Sequence, residues 1–406
     1  MLTRVGRNTP MGEMLRRYWI PACLSSDVAE ADCDPFRVRL LGEDLVAFRD
    51  DKGRVGLMEE HCPHRGASLF FGRNEQGGLR CLYHGWKMDV DGNVVDTPCE
   101  PATLRVRHAA YPVVEQGDVI WAYMGPRDKM PTFPNFQWTQ VPKENRVVRK
   151  VYEECNWVQA LEGSVDIPHF ITLHSGRDIM QYPDEQRHLR EAAPHQEAHD
   201  TRYGFCYIAT WPAKEDPERL KSVQIKTFAV PFHSYITGGG ETGHAGVHLF
   251  VPSDDENNWY YEIRYDSSKP VSPHEPDRYL DIGVDLDSMG RKIKRSLANN
   301  YLQDRAAMRA KRSFSGLDGR PHEDIAMLES MGSIYDRSKE HLGLADLVIT
   351  KMRRRLLDSL DIFMEGGDPL GLDASIPYDR IGVLSKTVPV ETRWQDMGAE
   401  IGEDLR

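Results

Sequence analysis

Short alternations of apolar and polar residues, separated by turn-forming residues, run along the chain from position 36 to position 125. The run FRVRLLGEDLVAFRDDKGRVGLMEE is interrupted at Gly42 and at Asp51-Lys52-Gly53, and WKMDVDGNVVD carries the hairpin signal Asp91-Gly92. One more apolar run spans residues 118–124. Alternation with a period of two between turn signals is typical of antiparallel strands joined by hairpins. The pattern therefore predicts a small all-β domain in the first third of the chain.

The pattern changes after a proline-rich passage at Pro126, Pro131 and Pro134, which is typical of a linker. We place the boundary near residue 140, which gives domains of residues 1–140, with the N-terminal segment, and 141–406. Periodicity in the second domain predicts helices at 155–175, 285–312 and 338–363, and strands within 200–265. The expected fold class is α+β: a small all-β domain plus a larger α+β domain with an antiparallel sheet and C-terminal helices.

Composition and charge narrow the setting of the chain. Its 406 residues exceed what one hydrophobic core usually organises, which agrees with two domains. The net charge of −12 and the pI near 5.7 argue against nucleic acid or an anionic membrane as a partner, since both attract basic surfaces. No apolar run is long enough for a membrane span, and the start MLTRVGRNTPMGEMLRRYWIP lacks the apolar core of a signal peptide. We therefore expect a soluble, cytoplasmic protein.

Two cysteines and two histidines alternate within the stretch CPHRGASLFFGRNEQGGLRCLYHGW. The seven cysteines of the chain are odd in number and scattered, which argues against a disulfide framework and leaves thiols available for metal. Each of two loops offers one thiolate and one imidazole, as Cys62-x-His64 and Cys81-x2-His84, whereas zinc sites usually pair like ligands. A [2Fe–2S] cluster with two thiolates on one iron and two imidazoles on the other needs this alternation. The stretch resembles the Rieske signature, with a zinc knuckle as the alternative.

A second stretch, NWVQALEGSVDIPHFITLH, begins as an amphipathic helix, because apolar residues recur every four positions from Trp157 to Val165. His169 and His174 follow, five residues apart. On an unbroken helix, such a pair would diverge by about 140° over about 7.5 Å, too far to share one small ion. A break in the helix is therefore required, and Pro168 contributes to it by disfavouring helix at the residue before it.

Asp166, His169 and His174 form the pattern D-x2-H-x4-H. Two histidines and one carboxylate make the facial triad that holds non-haem Fe(II) and leaves positions open for oxygen. In isolation, such a triplet is more often a set of core or surface polar residues. Its position behind a cluster motif favours a second metal centre, whose carboxylate can come from a distant part of the chain.

These motifs in this order, together with RRYWIP, IWAYMGP and ESMGSIYDRSKEHLG, resemble the oxygenase (alpha) component of Rieske non-haem iron aromatic-ring oxygenases, in the phthalate dioxygenase and phenoxybenzoate dioxygenase group. The resemblance spans essentially the whole chain. It implies a Rieske [2Fe–2S] cluster bound by Cys62, His64, Cys81 and His84, and a mononuclear Fe(II) in the second domain.

The resemblance also implies roles for the residues around the catalytic iron. His169 and His174 are then metal ligands. Asp166 is a bridge instead of a ligand, and it accepts hydrogen bonds from His169 and from His84 of a neighbouring subunit. Such a contact belongs to a head-to-tail homotrimer, or to a dimer of trimers. The alternative for Asp166 is a local helix-end carboxylate.

The third ligand is a carboxylate in the C-terminal half, where spacing alone does not choose among Asp304, Asp324 and Asp336. The family places it before a helical passage ending in ESMG, which implies Asp324 in HEDIAMLESMG. Asp304 is expected to pair with a basic side chain, and Asp336 to start a helix or to pair with Arg337. Glu323 is the nearest competitor of Asp324.

The activity implied by the resemblance is that of a terminal oxygenase in the breakdown of aromatic compounds. A separate NAD(P)H-dependent reductase would reduce the cluster, and electrons would reach the iron by way of His84, Asp166 and His169. The expected reaction is hydroxylation of an aromatic, carboxylated small molecule with O2, by mono- or dioxygenation or by O-demethylation. The alternative is a Rieske electron-transfer protein without oxygenase activity, which would leave the large second domain without a role.

The substrate pocket is expected beside strand-like segments at 202–211, 224–236 and 246–252. Candidate lining residues from these segments are Phe205, Tyr207, Phe232, His233 and Phe250, with Arg177 and Arg202 as further contacts. Phthalate-type members grip carboxylates with arginines in this region, because a guanidinium binds a carboxylate through two hydrogen bonds. Here the strand reads Gly204-Phe205-Cys206-Tyr207, without an arginine, which disfavours a phthalate-like diacid.

Overall fold

The computed structural model describes residues 1–174, 194–213, 215–237, 245–271 and 294–400. Within these ranges the chain forms two compact units. The first consists essentially of Thr3–Phe133 with Val251–Asp255, and the second of Pro134–Phe250 with the chain from Glu256 onward. The division after Phe133 lies inside the proline-rich passage, a few residues before the position suggested by the sequence.

The first unit is built from short antiparallel strands after a short helix, α1 (Pro10–Leu15). Its strands are β1 (Trp19–Leu24), β2 (Phe36–Leu40), β3 (Glu43–Arg49), β4 (Val55–Glu59), β5 (Arg73–Glu75), β6 (Gly78–Arg80), β7 (Lys87–Asp89), β8 (Val94–Asp96), β9 (Val113–Gln116) and β10 (Val119–Tyr123). They form three sheets, in the orders β1-β10-β9, β2-β3-β4 and β5-β6-β7-β8. The alternation read from the sequence thus corresponds to hairpins.

Turn residues set these hairpins. Between β3 and β4, the carboxylate of Asp50 accepts a hydrogen bond from the N–H of Arg54 (2.8 Å), and Gly53 has a φ of +77°. Between β7 and β8, Gly92 has a φ of +82°, and a Cβ at this position would clash with the carbonyl of His108. Both turns therefore require the conformational freedom of glycine.

A buried core supports the two Cys-His loops of the first unit. Its members are Val46, Phe48, Met58, Cys62, Leu69, Leu79, Cys81, Trp86, Met88 and Val94. They come from the β2–β4 and β5–β8 sheets and from the loops themselves. Cys62 and Cys81 are therefore part of the packed interior, each 3% exposed.

A large antiparallel sheet forms the centre of the second unit. Its strands are β11 (Arg146–Glu153), β12 (His195–Thr201), β13 (Gly204–Pro212), β14 (Leu220–Ala229), β15 (His233–Thr237), β16 (Ala245–Pro252), β17 (Asn258–Tyr265) and β18 (Leu384–Pro389). The order is β11-β17-β16-β15-β14-β13-β12, and β18 pairs with the first part of β14. The run 224–236, which the sequence suggests as one strand, is divided between β14 and β15 because the chain turns at Pro231.

Helices of the second unit pack on this sheet and on one another. They are α2 (Gln137–Gln140), α3 (Trp157–Val165), α4 (Arg305–Arg309), α5 (Arg320–Ser330) and α6 (Leu347–Met364). Helix α3 contacts α5, α6 and strands β15 and β17. Its Glu162 accepts hydrogen bonds from Arg353 on α6 (2.7 Å) and from Arg337 (2.9 Å). These bonds connect α6 and the segment before it to α3.

In the part that the structure describes, the helix predicted at 285–312 is present only at Arg305–Arg309, while residues 285–293 lie outside the described ranges. The segment Leu297–Leu302 is a 3-10 helix whose backbone is left-handed at Asn300 (φ +50°) and Tyr301 (φ +51°). Left-handed residues cannot continue an α-helix, so α4 begins only after Asp304. The helix predicted from 338 begins at Leu347.

The α+β fold class is confirmed by the small all-β unit and the larger unit with its antiparallel sheet and C-terminal helices. Among the helices that the structure describes, none combines the length and the hydropathy that crossing a membrane requires.

Candidate metal centres and active-site cavity

The two Cys-His loops of the first unit repeat one backbone conformation. In each, the N–H of the cysteine donates to the carbonyl five residues later (2.9 and 2.8 Å). Gly66 and Gly85 donate to the carbonyls of Cys62 and Cys81 (2.9 and 3.0 Å) with φ of +72° and +78°. The histidine follows the cysteine by two residues in one loop and by three in the other. The same loop shape therefore presents its imidazole from two different positions.

The imidazoles of His64 and His84 lie next to each other, with ring centroids 4.5 Å apart and planes at 72°. His64 stacks on the buried Trp86, at 4.6 Å and 3°, and His84 contacts Tyr83 at 3.9 Å. Neither imidazole makes a hydrogen bond to another residue in the described part of the chain. Packing against aromatic rings therefore holds these two rings in place.

The four side chains fit a [2Fe–2S] cluster by the chemistry of their donors. Burial raises the pKa of the Cys62 thiol to about 11, and the neighbouring Cys81 sulfur raises it as well. The backbone N–H groups of His64 and Arg65 act in the opposite direction and lower it. The two thiols are thus close enough to influence each other. The Nδ1 of His64 is buried and has no hydrogen-bond partner among the described residues. Paired thiols and an unsatisfied imidazole nitrogen are donors that such a cluster uses.

In the second unit, helix α3 ends at Val165 and the chain turns before it becomes helical again. Asp166 leaves the helical conformation (φ −66°, ψ 131°). Its carboxylate accepts a hydrogen bond from the N–H of His169 (3.2 Å), as an N-cap residue does. Pro168 lies in the first turn of the new segment, where the absence of its N–H costs nothing. The local sequence D-I-P-H therefore both ends one helix and starts the next.

The new segment contains a π-helical turn at Phe170–His174. In a π-helix the hydrogen bonds join residues five apart, so such residues lie nearly above one another. His169 and His174 therefore come together, with ring centroids 5.1 Å apart. The break expected from the sequence is present, but it precedes both histidines. The wide turn, instead of the break, brings them to one side.

His169, His174 and Asp324 place three potential ligand atoms within 4.8 Å of one another. The Oδ1 of Asp324, on α5, lies 3.0 Å from Nε2 of His174 and 3.7 Å from Nε2 of His169. Two imidazole nitrogens and one carboxylate oxygen are the donors of the facial triad of non-haem Fe(II) sites. The residues present therefore fit a mononuclear iron.

The outer ring nitrogen of each histidine contacts a second carboxylate. Asp166 Oδ2 lies 3.2 Å from Nδ1 of His169, and Glu323 Oε2 lies 2.9 Å from Nδ1 of His174. Glu323 also accepts a hydrogen bond from Ser315. An outer carboxylate fixes the tautomer and the orientation of an imidazole ligand. Glu323 thus faces the back of His174 and is not one of the three converging groups.

The charges of these carboxylates favour a cation between them. Burial alone would lower the pKa of His174, but its hydrogen bonds with Asp324 and Glu323 raise that pKa to about 9. A metal ion that binds here takes the place of a proton. The second oxygen of Asp166, Oδ1, is buried and has no hydrogen-bond partner within the described residues.

The three converging groups line a cavity with about 870 Å³ of open space, including its mouth. One wall is a face of the central sheet. Because side chains alternate along a strand, this wall takes every second residue of β14, β16 and β17: Gln224, Lys226, His248, Phe250, Tyr260 and Glu262. The ends of β11 and β15, helices α3 and α5 and the π-helical segment form the rest. A concave wall with apolar surface and a few convergent polar groups is typical of a small-molecule site.

A neutral histidine contributes fixed polar groups to the sheet wall. The Nδ1 of His248 lies 3.2 Å from the Ser164 hydroxyl, and its Nε2 lies 3.0 Å from the Tyr260 hydroxyl. Burial holds the pKa of His248 well below its usual range. The ring is therefore uncharged near neutral pH, and its two hydrogen bonds orient both hydroxyls.

Of the five aromatic or polar side chains suggested for the pocket, Phe250 lines this cavity. Phe205 and Tyr207 do not, because the middle of β13 is covered on both faces. Phe205 packs on Phe228 with centroids 5.4 Å apart. Tyr207 is directly opposite Lys226 in the β13–β14 pair, but is only 1% exposed.

Phe232 and His233 also lie off the cavity wall. His233 stacks between Phe136 (4.8 Å) and Phe232 (5.1 Å), in the aromatic core of the second unit. Burial lowers the pKa of His233 to about 3, so the ring is neutral. These residues act in packing, since the turn at Pro231 directs this part of the chain into the core.

The remaining candidates have other partners. Arg202 is exposed and pairs with Asp373 (3.2 Å), away from the cavity wall. Arg177 lies outside the described residues. Asp304 caps α4 by accepting a hydrogen bond from the N–H of Ala307 (2.8 Å), and within the described residues it forms no ion pair with a basic side chain.

Asp336 caps a 3-10 turn, Arg337–Lys339. It accepts a hydrogen bond from the N–H of Ser338 (3.2 Å) and pairs with Lys339 (3.2 Å). Its sequence neighbour Arg337 pairs with Glu162 instead. Neither Asp304 nor Asp336 lines the cavity.

Sequence reasoning missed Lys226 and His248, which line the cavity, and the contact of Glu323 with the outer nitrogen of His174. For Lys226 a signal existed, because QIKTFAV alternates and places Gln224 and Lys226 on the same face of a strand. The position of His248 within the apolar run GVHLFVP was a similar signal. The contact of Glu323 with His174 depends on packing between distant segments, which no local pattern shows.

Comparison with protein-family models gives two matches. Residues 18–116 match the Rieske [2Fe-2S] domain. Residues 122–404 match the family described as LigXa C-terminal domain like. The two matches cover most of the chain in the order in which the two candidate centres occur.

Similar curated proteins extend over nearly the full length. The phthalate 4,5-dioxygenase oxygenase subunit of Pseudomonas putida is 39% identical, over 98% of this chain and 93% of that protein. The 3-chlorobenzoate-3,4-dioxygenase oxygenase subunit of Comamonas testosteroni is 38% identical, over 97% and 96%. The phenoxybenzoate dioxygenase subunit alpha of Ectopseudomonas oleovorans is 31% identical, over 91% and 87%.

Similar solved structures share the fold at low sequence identity. The NdmA QL mutant of Pseudomonas putida CBB5 with theobromine has a TM-score of 0.63 and 20% identity, covering 89% of this chain and 95% of that one. Dicamba monooxygenase bound to dicamba has a TM-score of 0.59 and 17% identity, covering 87% and 99%.

Proposed function

Because this chain belongs to the Rieske non-haem iron oxygenases, as an oxygenase component of the phthalate dioxygenase and phenoxybenzoate dioxygenase group, we propose that its substrate is an aromatic, carboxylated small molecule. As an oxygenase component, the chain uses O2 and electrons from a separate reductase, with a Rieske cluster and a mononuclear iron as cofactors. The aromatic acids in the names of three relatives support the substrate class. The reductase is proposed to take its electrons from NAD(P)H.

We assign the cluster to Cys62, His64, Cys81 and His84 in a Rieske domain of residues 1–140, and the iron to His169, His174 and Asp324 in a catalytic domain of residues 141–406. The observation that carries the catalytic assignment is the convergence of the last three on the wall of one cavity. When bound, the cluster supplies electrons one at a time and the iron supplies the centre for oxygen activation.

Asp166 and Glu323 prepare the two histidines for metal binding. Each accepts a hydrogen bond from an outer Nδ1–H, which aims Nε2 at the third ligand, Asp324. Because both rings are oriented before the metal arrives, little reorganisation is needed on binding.

The cavity walls hold the substrate and exclude water. Phe250, Ile325 and Leu328 provide an apolar surface for an aromatic ring, while the hydroxyls fixed by His248 provide polar contacts. Excluding water strengthens each polar contact to the substrate. Addition of both oxygen atoms to a ring, addition of one, and O-demethylation are all compatible with such a pocket.

Asp166 is further proposed to connect the two centres across a subunit boundary. In a head-to-tail homotrimer, or in a dimer of trimers, its Oδ1 would accept a hydrogen bond from His84 of the next subunit. The proposal is supported by the buried Oδ1, which lacks a partner within the described residues, and by the His84 imidazole, which makes no hydrogen bond to those residues.

The test is oxygenation under 18O2. Purified, iron-loaded enzyme with a reductase and NADH is given benzoate, 3-chlorobenzoate and 4-methoxybenzoate, and products are analysed by mass spectrometry. We expect labelled product from at least one acid, with one or two labelled atoms separating mono- from dioxygenation, and none from the His169→Ala enzyme. Native protein that contains zinc without sulfide, or that gives no labelled product, contradicts the proposal.

A further inference from the structure

Two cationic side chains of the cavity wall lie beside the same aromatic ring. Nζ of Lys226, on β14, is 5.8 Å from the centroid of Phe170, and Cζ of Arg320, the first residue of α5, is 5.1 Å from it. Phe170 is the neighbour of His169 in the metal-binding segment. One side of the cavity is therefore positively charged and close to the proposed iron.

In the described part of the chain, Lys226 has no acidic partner, because no carboxylate oxygen there lies within the 4.0 Å of an ion pair. This differs from other charged groups of the second unit: Glu262 on the same wall pairs with Arg264 (3.3 Å). A lysine inside a protein normally pairs with an anion, because burial of a lone ammonium is costly. An ammonium at a cavity wall without such a pair is suited to an anionic ligand.

Lys226 keeps its charge near neutral pH. Burial lowers its pKa to about 8, and the nearby negative charge of Asp166 limits that decrease. A bound carboxylate would add to the effect of Asp166 and favour the ammonium further.

The rest of the wall restricts the kind of anion. Ile236, Phe250, Ile325 and Leu328 offer apolar surface for a ring. Away from Lys226 and Arg320, the wall carries the carboxylates of Glu262 and Asp324, so a second carboxylate placed there would be repelled. The charge pattern thus fits a ring with one anionic substituent.

We propose that Lys226 is a specificity-determining residue that binds the carboxylate of an aromatic monocarboxylate, with Arg320 as a second cation on the same side. This inference rests on the proposed function and narrows its substrate to the benzoate class. Lys226 lies directly opposite Tyr207 of β13, a strand that carries no arginine of its own.

A different role for Lys226 would be to balance the charge of Asp166. In that case its removal would disturb the contact between Asp166 and His169, and hence iron binding, without changing the preference for acids over neutral analogues. The two roles therefore predict different results for one variant.

The experiment measures ligand binding without turnover. Holoenzyme kept anaerobic and without reductase is titrated in a calorimeter with benzoate, 3-chlorobenzoate and 4-methoxybenzoate, each compared with its amide. The variants are Lys226→Met, which removes the charge, and Lys226→Arg, which keeps it. Lys221→Met is the matched control, because Lys221 is on the same strand but does not line the cavity. Iron content is measured for each protein.

We expect the wild type to bind at least one acid about 10- to 100-fold more tightly than its amide, the range for a hydrogen bond between charged groups. Lys226→Met should reduce this ratio to about threefold or less with unchanged iron content, while Lys226→Arg and Lys221→Met keep most of it. A wild type without a preference for any acid overturns the inference, as does a Lys226→Met enzyme that keeps the preference or loses its iron. The proposed oxygenation is judged separately, by labelled product from whichever acid or amide is converted.

Discussion

The two proposed metal centres use similar donors but are built in different ways. The cluster ligands come from one stretch, residues 62–86, in which two loops repeat a single conformation. The iron ligands come from a π-helical segment and from helix α5, far apart in the chain. The first arrangement follows from local sequence, whereas the second forms only when α3 and α5 pack together.

The centres also differ in how their imidazoles are held. His169 and His174 each have an outer carboxylate from their own chain. His64 and His84 have none among the described residues, and aromatic stacking and loop shape hold them instead. The comparison teaches that the second centre is supported within the chain, whereas the first leaves imidazole hydrogen-bonding capacity available to another molecule.

The largest effect is expected at the local centre. Cys62→Ala should abolish the cluster, because an alanine offers no ligand and no neighbouring thiol in the loop replaces it, while the mononuclear iron remains. Visible and EPR spectra with sulfide and iron analysis check this. Cys99→Ala, which changes an exposed cysteine near the second loop, is the control and should keep the cluster. A Cys62→Ala protein with a normal spectrum would remove this residue from the ligand set.

At the dispersed centre, Asp324→Ala should lose the mononuclear iron and all oxygenation while the cluster spectrum is unchanged. The reason is that the two centres lie in separate compact units. Iron analysis and product formation measure the effect, and His169→Ala should behave in the same way. Asp336→Ala is the control, since Asp336 caps a turn away from the cavity. Full activity in Asp324→Ala would assign the third ligand to another carboxylate.

Asp166→Asn should separate metal binding from turnover. The amide keeps the shape but loses the charge and part of the acceptor capacity, so both metals should stay largely bound while turnover falls by about 100-fold. Single-turnover electron transfer measured by stopped flow should slow to match. Unimpaired electron transfer in this variant would contradict the proposed role of Asp166 as a bridge between the two centres.

The intersubunit form of this prediction has its own control. Mixed trimers of Asp166→Asn and His84→Ala subunits contain interfaces in which the intact His84 of one subunit meets the intact Asp166 of the next. These trimers should regain part of the activity that either variant lacks alone. Verified mixed trimers without any recovery argue for a bridge within one chain or for none.

Glu323→Gln tests the outer contact of His174 and should have a smaller effect. It keeps a hydrogen-bond acceptor but removes a charge, so we expect roughly a tenfold weaker affinity for Fe(II). Competition with a chelator measures that affinity. If the variant instead lost iron as completely as Asp324→Ala, Glu323 would itself be a ligand.

The smallest effects are expected from glycine substitutions in the two Cys-His loops, and they should differ between the loops. Gly66→Ala introduces a side chain at positive φ with open space around it, and should destabilise the loop by about 1–2 kcal/mol. Gly85→Ala adds a contact of 2.6 Å with Pro98 to the same backbone cost, so it should be worse. The temperature at which the cluster absorbance disappears reports both. Equal effects would mean that Pro98 moves freely.

Much of the fold could be predicted because its signals are local. The hairpins of the first unit follow from alternation and from turn glycines, and the α+β class from the change of period after Pro134. The error at 285–312 arose where Asn300 and Tyr301 adopt left-handed backbone, which their residue types do not require. Composition alone cannot reveal such positions.

For the site, the limit was tertiary packing. The motif containing His169 and His174 was visible in the sequence, and Asp324 was chosen by resemblance. Most of the aromatic residues proposed for the pocket do not line the cavity, because aromatic residues in a sheet that is covered on both faces pack into the core, as Phe205 does. The charged Lys226 within such a strand was a better indicator of the cavity wall, because burial of a charged side chain in a core is costly.

The π-helical turn at Phe170–His174 has a consequence for how this chain tolerates insertions and deletions. Removal of one residue, such as Thr172, would let the segment relax into an ordinary α-helix, which is the more stable geometry. After that deletion the two histidines would be four residues apart and about 40° apart around an α-helix, so their rings would still face the same side. The wide turn therefore accommodates one additional residue, whereas an α-helix of the present length would turn the two rings about 140° apart and cost the protein its metal.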